Sequence, residues 1–178
     1  MPSPERARER SWLAAGLIFA MDTLFWRFDP PRAVAAVMDE SAHAATALLL
    51  LDLARLPASE PVLAGTLLGA VVIDVDHIPS EVGWDILTNG TGRPYTHSLF
   101  TLGESVLLAF ARPGPWRTVA LSAAFGIVTH LLRDMATGGV PLYWPLARRS
   151  VTIPYIVYAI LVFAAATAGR RFGEETVT

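Results

Sequence analysis

The four histidines of the sequence each have a carboxylate at a spacing that a helix would place on the same side. The pairs are Asp39 with His43, Asp74 with His77, His97 with Glu104, and His130 with Asp134. Spacings of three, four and seven residues return to one helical face, so each pair could converge on a common ligand. Chance would not readily supply all four pairs in a chain in which only 17% of the residues are charged.

Imidazole and carboxylate groups without sulfur suit a divalent metal. The sequence contains no cysteine, so His, Asp or Glu must hold any metal. Zinc is the first expectation, with Mn or Fe(II) as alternatives. Because the candidates outnumber the three ligands of a catalytic zinc, one or two ions are expected, and a metal-bound water would be the nucleophile. The predicted ligands are His43, Asp74, Asp76, His77, His97, His130 and Asp134.

Other polar residues are predicted to assist this site, and Asp74 is counted here as well as among the ligands. Asp39 is expected to orient a ligating imidazole, and Glu104 to do the same or to act as a general base. Arg93 lies in a polar loop at 92–98 that leads into a helix, where it could hold a phosphate through paired hydrogen bonds. An ordinary interfacial arginine is the alternative. The predicted catalytic residues are therefore Arg93, Glu104 and Asp74.

Six apolar segments, separated by breaks rich in Pro, Gly and Arg, predict six helices. The segments are 12–28, 34–53, 62–78, 98–111, 118–132 and 151–168. In this topology Asp74 and His77 end the third helix, His97 begins the fourth, and His130 ends the fifth, all at one membrane face. His43 lies deeper in the second helix, where it could reach the floor of the same site.

The composition excludes most soluble classes of protein. Of the 178 residues 53% are hydrophobic, and a soluble domain of this size could not cover so much apolar surface. We therefore predict an all-α, polytopic membrane helical bundle of about six transmembrane or membrane-embedded helices, forming a single domain over 1–178. The formal net charge of −2 gives no case for nucleic acid, so the expected partners are the bilayer and a small-molecule or lipid substrate.

The arginines predict the orientation in the membrane. Asp22 interrupts the first apolar segment and no small-residue cleavage site follows, so this segment is predicted to be an uncleaved helix rather than a signal peptide. Arginines are more numerous on the side that carries both termini, which places the termini in the cytoplasm. Trp84, Tyr143 and Trp144 are predicted to be aromatic residues of the membrane interface.

Taken together, the motifs resemble the bacterial and archaeal inner-membrane metal-dependent hydrolases, also described as LexA-binding, inner-membrane-associated hydrolases. The family order is an early His, D-x-D-H, R-x-x-T-H-S, H-x-x-x-D and a Gly/Pro-rich loop. Here these are His43, D-V-D-H at 74–77, R-P-Y-T-H-S at 93–98, H-L-L-R-D at 130–134 and G-G-V-P at 138–141.

The resemblance covers about residues 43–145 and implies a membrane-embedded hydrolase with the metal ligands given above. Two positions depart from the family pattern. Ile73 stands where a Pro often precedes the first Asp, and Gly92 stands where a His often precedes the Arg, which would take away one ligand.

These observations predict a hydrolase of the inner membrane, in which a metal-activated water attacks a membrane lipid or a lipid-linked (phospho)ester. One alternative is a metal-binding or metal-transporting membrane protein without hydrolase activity, since ionisable residues in membrane helices also mark ion pathways. Another is a regulatory membrane protein with a structural metal. Ligands gathered at one face favour the hydrolase over the transporter, and the excess of ligands beside Arg93 argues against a closed structural site.

Overall fold

The computed structural model describes residues 4–81, 83–85, 87–88 and 93–175. These residues form seven α-helices, one 3-10 helix and a single β-bridge between Val140 and Val151. The helices are α1 (Pro4–Phe28), α2 (Arg32–Leu53), α3 (Glu60–Ala70), the 3-10 helix (Val72–His77), α4 (Ile78–Glu81), α5 (Leu99–Ala111), α6 (Pro115–Thr137) and α7 (Tyr155–Glu175). The predicted all-α membrane fold is confirmed.

The third predicted helix is not one continuous α-helix. α3 ends at Ala70, Val71 leaves helical geometry at φ −124° and ψ −50°, and the 3-10 helix follows. Residues 71–73 are the β-branched run Val-Val-Ile, which loses side-chain freedom in a helix and so favours this break. Because residues three apart eclipse in a 3-10 helix, Asp74 and His77 still share one side, as predicted.

Three helical stretches are long and apolar enough to cross a membrane, by length and composition. They are Arg32–Leu53, Glu60–Ser80 and Pro115–Thr137, and Leu99–Ala111 and Tyr155–Ala168 are shorter apolar helices. α1, which carries Asp22 and Arg27, is not among the three spans found in the described residues. Each of the six predicted helices therefore has a counterpart among the described residues, and three of these counterparts have spanning length.

The chain divides into two compact units. The first unit contains the residues up to Leu56 and those from Ile156 onward. In it α1 packs on α2, and α7 is fastened to α2 by a fully buried hydrogen bond of 2.5 Å between the hydroxyls of Tyr158 and Thr46. Since the Thr46 hydroxyl donates to the carbonyl of Ala42, Tyr158 acts as the donor to Thr46.

The second unit, Pro57–Tyr155, is built on an unusually close pair of helices, α3 and α6. A Cβ added at Gly126 of α6 would lie 2.9 Å from the backbone nitrogen of Ala70 and overlap the carbonyl oxygen of Thr66. A Cβ at Gly69 of α3 would lie 2.8 Å from the backbone nitrogen of Ile127. The two backbones are therefore in direct contact, as in membrane helix pairs that meet at small residues. α5 packs on the same α6.

Candidate metal centre

The second unit brings six of the seven predicted ligands to one end of its helices. The 3-10 helix that continues α3 carries Asp74, Asp76 and His77, and the last turns of α6 carry His130 and Asp134. His97 lies in the loop between them, and extended Ser98 separates it from the start of α5. The possible ligand atoms of these residues form two sets, and within each set all atoms lie within 4.8 Å of one another. The first set is Asp74, Asp76, His77 and His97. The second set is His97, His130 and Asp134.

One oxygen of Asp74 is the meeting point of three imidazoles. Asp74 Oδ1 lies 2.8 Å from His97 Nε2, 3.4 Å from His130 Nε2 and 3.5 Å from His77 Nε2. A second carboxylate oxygen, Asp134 Oδ2, lies 3.3 Å from His130 Nε2 and 3.6 Å from His97 Nε2. Three ring nitrogens and two carboxylate oxygens thus converge on one small volume.

These separations match the demands of a divalent cation. Four ligands at zinc bond lengths of about 2.0–2.1 Å would lie about 3.3 Å from one another in a tetrahedron, close to most of the observed distances. Carboxylate oxygens and unprotonated imidazole nitrogens are all hydrogen-bond acceptors, so their convergence requires protons or a cation between them. Oδ1 of Asp76 is moreover buried without a hydrogen-bond partner among the described residues. The residues present therefore fit a metal of the predicted kind.

Neighbouring groups hold two of the imidazoles in position for a metal. His130 Nδ1 lies 2.9 Å from the carbonyl oxygen of Ala70, at the end of α3. When Nδ1 donates to that carbonyl, Nε2 presents its lone pair to Asp74 and Asp134, which is the usual support of a ligating histidine. On the other side, the Thr96 hydroxyl donates to Oδ2 of Asp76, and that oxygen lies 3.5 Å from His97 Nδ1.

Burial divides the site into a closed and an open side. The side chains of His97, His130 and Asp134 are completely buried. Those of His77 and Arg93 are 29% and 24% exposed, and that of Asp74 is 12% exposed. An ion bound here could be reached from the side of His77 and Arg93, which a closed structural site would not allow.

Arg93 makes an ion pair with the buried carboxylate of Asp134. This contact compensates a charge that would be costly to bury alone. Gly138 at the end of α6 makes room for it, since a Cβ there would lie 2.6 Å from the guanidinium Nη2 of Arg93. The phosphate-binding role of Arg93 stays a prediction. The ion pair shows in addition that Arg93 holds the carboxylate of Asp134 in place.

His97 is strongly basic before a metal binds. Its burial lowers the pKa, but hydrogen bonds with Asp74 and Asp76 outweigh this and raise the pKa from the ordinary 6.5 to about 9. His97 therefore carries a proton at neutral pH in metal-free protein, and a metal that takes Nε2 must displace that proton.

This raised pKa predicts how the metal-free protein responds to pH. A group whose pKa rises on folding stabilises the protein fully below its unfolded pKa, here about 6.5, and loses this effect as the pH rises through about 9. We expect the chelated protein to lose on the order of 3 kcal/mol between these limits, and His97→Gln to lack this loss. Thermal unfolding of both proteins from pH 6 to 10 measures it, and parallel profiles would contradict the assignment.

Three further predicted residues are His43, Asp39 and Glu104. His43 and Asp39 belong to the first unit, where His43 Nε2 lies 3.8 Å from Asp39 Oδ1, as their spacing predicted. Membership of His43 in the metal site stays a prediction. The helical pairing of His97 with Glu104 is wrong, because α5 begins only at Leu99, and Glu104 is exposed. Gly92, the departure from the family motif, lies outside the described residues.

The sequence could not reveal two groups that shape the site. The carbonyl of Ala70 orients His130, but a backbone acceptor leaves no trace in residue types. The hydroxyl of Thr96 binds Asp76, a contact between residues 20 positions apart that spacing does not predict. Its place one residue before His97 in the motif was the available signal.

The fold and the site define an all-helical membrane protein with histidines and aspartates gathered at one end of its helices. Residues 38–177 match the family model described as YdjM inner membrane protein, and the chain belongs to that family. The inner-membrane class predicted from sequence is thereby confirmed. No curated protein and no solved structure matches the chain.

Proposed function

We propose that this protein is a membrane-embedded, metal-dependent hydrolase that acts on a membrane lipid or a lipid-linked phosphoester. The observation that carries the proposal is the convergence of three imidazole nitrogens and two carboxylate oxygens in a site that is open on the side of His77. His77, His97, His130, Asp74 and Asp134 would hold the ion, with zinc expected first. When bound, such an ion supplies a water of lowered pKa and polarises the bond to be broken.

Residues of the chain would perform the remaining tasks. Asp76 has one oxygen held by Thr96 and the other without a hydrogen-bond partner in the described residues, so it can bind the ion or accept a proton. Arg93 lies on the open side, and its guanidinium can hold a phosphate oxygen by charge-assisted hydrogen bonds. This cation is the reason to favour a phosphoester over a carboxylic ester. For Glu104, exposed on α5, no contact supports the general-base role.

The alternatives differ from the hydrolase in ways that can be measured. A transporter would string ligands along a path through the bilayer, whereas the six grouped here lie at one end of α3 and α6. A purely structural metal would be enclosed, whereas His77 and Arg93 are partly exposed. A hydrolase predicts turnover, a transporter predicts flux, and a structural site predicts neither.

We expect protein purified in mild detergent to contain a divalent metal in at least equimolar amount and to consume a component of a bacterial lipid extract. Elemental analysis measures the metal, and mass spectrometry of the extract measures the lipid. Chelation should abolish turnover, and addition of Zn or Mn should restore it. Arg93→Gln, compared at equal metal content, should lower turnover of a phosphoester by about 100-fold, as loss of a charge-stabilising donor does in other hydrolases.

Three outcomes would overturn the proposal. Turnover that survives complete chelation would exclude metal catalysis. Metal flux into proteoliposomes without lipid turnover would identify a transporter. Metal that is bound without turnover or flux, and whose removal only lowers the unfolding temperature, would identify a structural site.

A further inference from the structure

The segment between α6 and α7 forms a closed loop beside the metal centre. The backbones of Val140 and Val151 exchange hydrogen bonds of 3.1 and 2.8 Å, which join the two ends of the 140–151 loop. Inside it, the backbone N–H of Trp144 donates to Pro141 and that of Leu146 donates to Tyr143. The loop is therefore held in one shape by its own hydrogen bonds.

This loop contacts residues that precede and follow His97 in the sequence. The N–H of Leu99 donates to the carbonyl of Leu142 at 2.9 Å. The ring of Trp144 stacks on Tyr95 with a centroid distance of 4.5 Å and meets Phe100 edge-on at 5.4 Å. Trp144, predicted as an interface aromatic, thus also anchors the loop to the segment that carries a metal ligand.

The outer surface of the loop combines exposed apolar and cationic side chains. Leu146 is 94% exposed and Tyr143 is 47% exposed, although the loop around them is ordered by hydrogen bonds. Arg148 and Arg149 follow after Ala147 and are also exposed. Exposed apolar side chains next to cations are typical of segments that lie in the interface of a membrane.

The position of the loop places it at the bilayer surface. It begins three residues after α6, a helix long and apolar enough to cross a membrane, and ends four residues before the apolar α7. At this depth an apolar side chain can enter the acyl region while arginines remain at the level of the phosphates. Two adjacent arginines favour anionic over zwitterionic headgroups.

We propose that the 140–151 loop is a binding surface for anionic phospholipids, with Leu146 in the acyl region and Arg148 and Arg149 on the headgroup phosphates. The loop would then keep anionic lipids enriched beside the metal centre. This surface does not depend on hydrolysis and would exist equally if the metal centre had another role.

The absence of cysteine from the sequence makes a local test direct. Leu146→Cys, carrying an apolar fluorophore, is reconstituted in nanodiscs that contain a spin-labelled phosphatidylglycerol or, at the same mole fraction, a spin-labelled phosphatidylcholine. We expect quenching by both lipids and an enrichment of phosphatidylglycerol around the probe of at least about fivefold, since one cation at a membrane surface already has this effect and the loop carries two. High salt should reduce this preference.

Two double variants, each of which removes two positive charges, distinguish the effect of the loop from the effect of the net charge of the protein. Arg148→Gln with Arg149→Gln should abolish the preference for phosphatidylglycerol. Arg112→Gln with Arg117→Gln, exposed arginines near the start of α6, should leave it unchanged. Size-exclusion elution verifies that both variants keep their fold.

The proposal is overturned if the two lipids quench equally, or if the preference survives the loss of Arg148 and Arg149. It is also overturned if neither lipid quenches the probe, and mutual quenching by the fluorophores of two copies would then show that a second chain covers the loop.

Discussion

In protein that carries Asp74→Asn, we expect the affinity for a divalent metal to fall by at least about 100-fold, because loss of even an outer-shell partner costs 10- to 100-fold. Asparagine keeps the size of the side chain but removes the charge of the oxygen that three histidines approach within 3.5 Å. Titration of chelated protein with zinc against a competing chromophoric chelator measures the affinity. Lipid turnover should fall in parallel.

Glu104→Gln is the matched control, since it makes the same change of charge at an exposed carboxylate on α5. We expect it to bind metal as the unchanged protein does. Turnover lost in Glu104→Gln at full metal content would restore the general-base role predicted from sequence. Unchanged affinity in Asp74→Asn would contradict the geometry described for the metal centre.

The second large effect is expected from Gly126→Ala. Its methyl group would overlap the carbonyl oxygen of Thr66 and approach the nitrogen of Ala70, and a helix backbone cannot give way as a flexible side chain can. We expect a loss of about 3 kcal/mol in the free energy of unfolding, the upper range for overpacked cores. His130 lies one turn further along α6 and is bound to Ala70, so metal affinity should fall as well.

Gly103→Ala controls for the exchange of glycine for alanine in a helix. Nothing lies within 4 Å of a Cβ at Gly103 in α5, so this variant should be unchanged or slightly more stable. Thermal unfolding in one detergent compares the two variants. Equal stability would mean that α3 and α6 tolerate separation and that their contact does not hold the site together.

Much of the fold was predictable because a membrane helix is determined by the hydropathy of one continuous segment of sequence. Runs of apolar residues between Pro- and Gly-rich breaks predicted six helices, and each has a counterpart in the structure. The change from α3 to a 3-10 helix was not predicted, since Val and Ile also occur inside helices. The close contact at Gly69 and Gly126 was not predicted either, because it depends on which faces of two helices meet.

The ligands were predictable to the extent that residue type and spacing determine chemistry. Asp74, Asp76, His77, His130 and Asp134 lie on helical elements whose order brings them to one end, as predicted. The same reasoning failed for Glu104, because a spacing of seven is informative only when one helix contains both residues. His97 lies before its helix, so its direction depends on the loop and not on helical periodicity.

By itself, the sequence determined a membrane protein with all-α structure and a metal-type set of donors, because hydropathy and donor chemistry are properties of single residues and short segments. Only the tertiary structure decided which atoms meet. It brought Asp74 Oδ1 to His97 and His130, paired Arg93 with Asp134, and anchored the 140–151 loop at Tyr95. The reason is physical: these contacts join residues 20 or more positions apart, and their geometry follows from helix packing that no local pattern encodes.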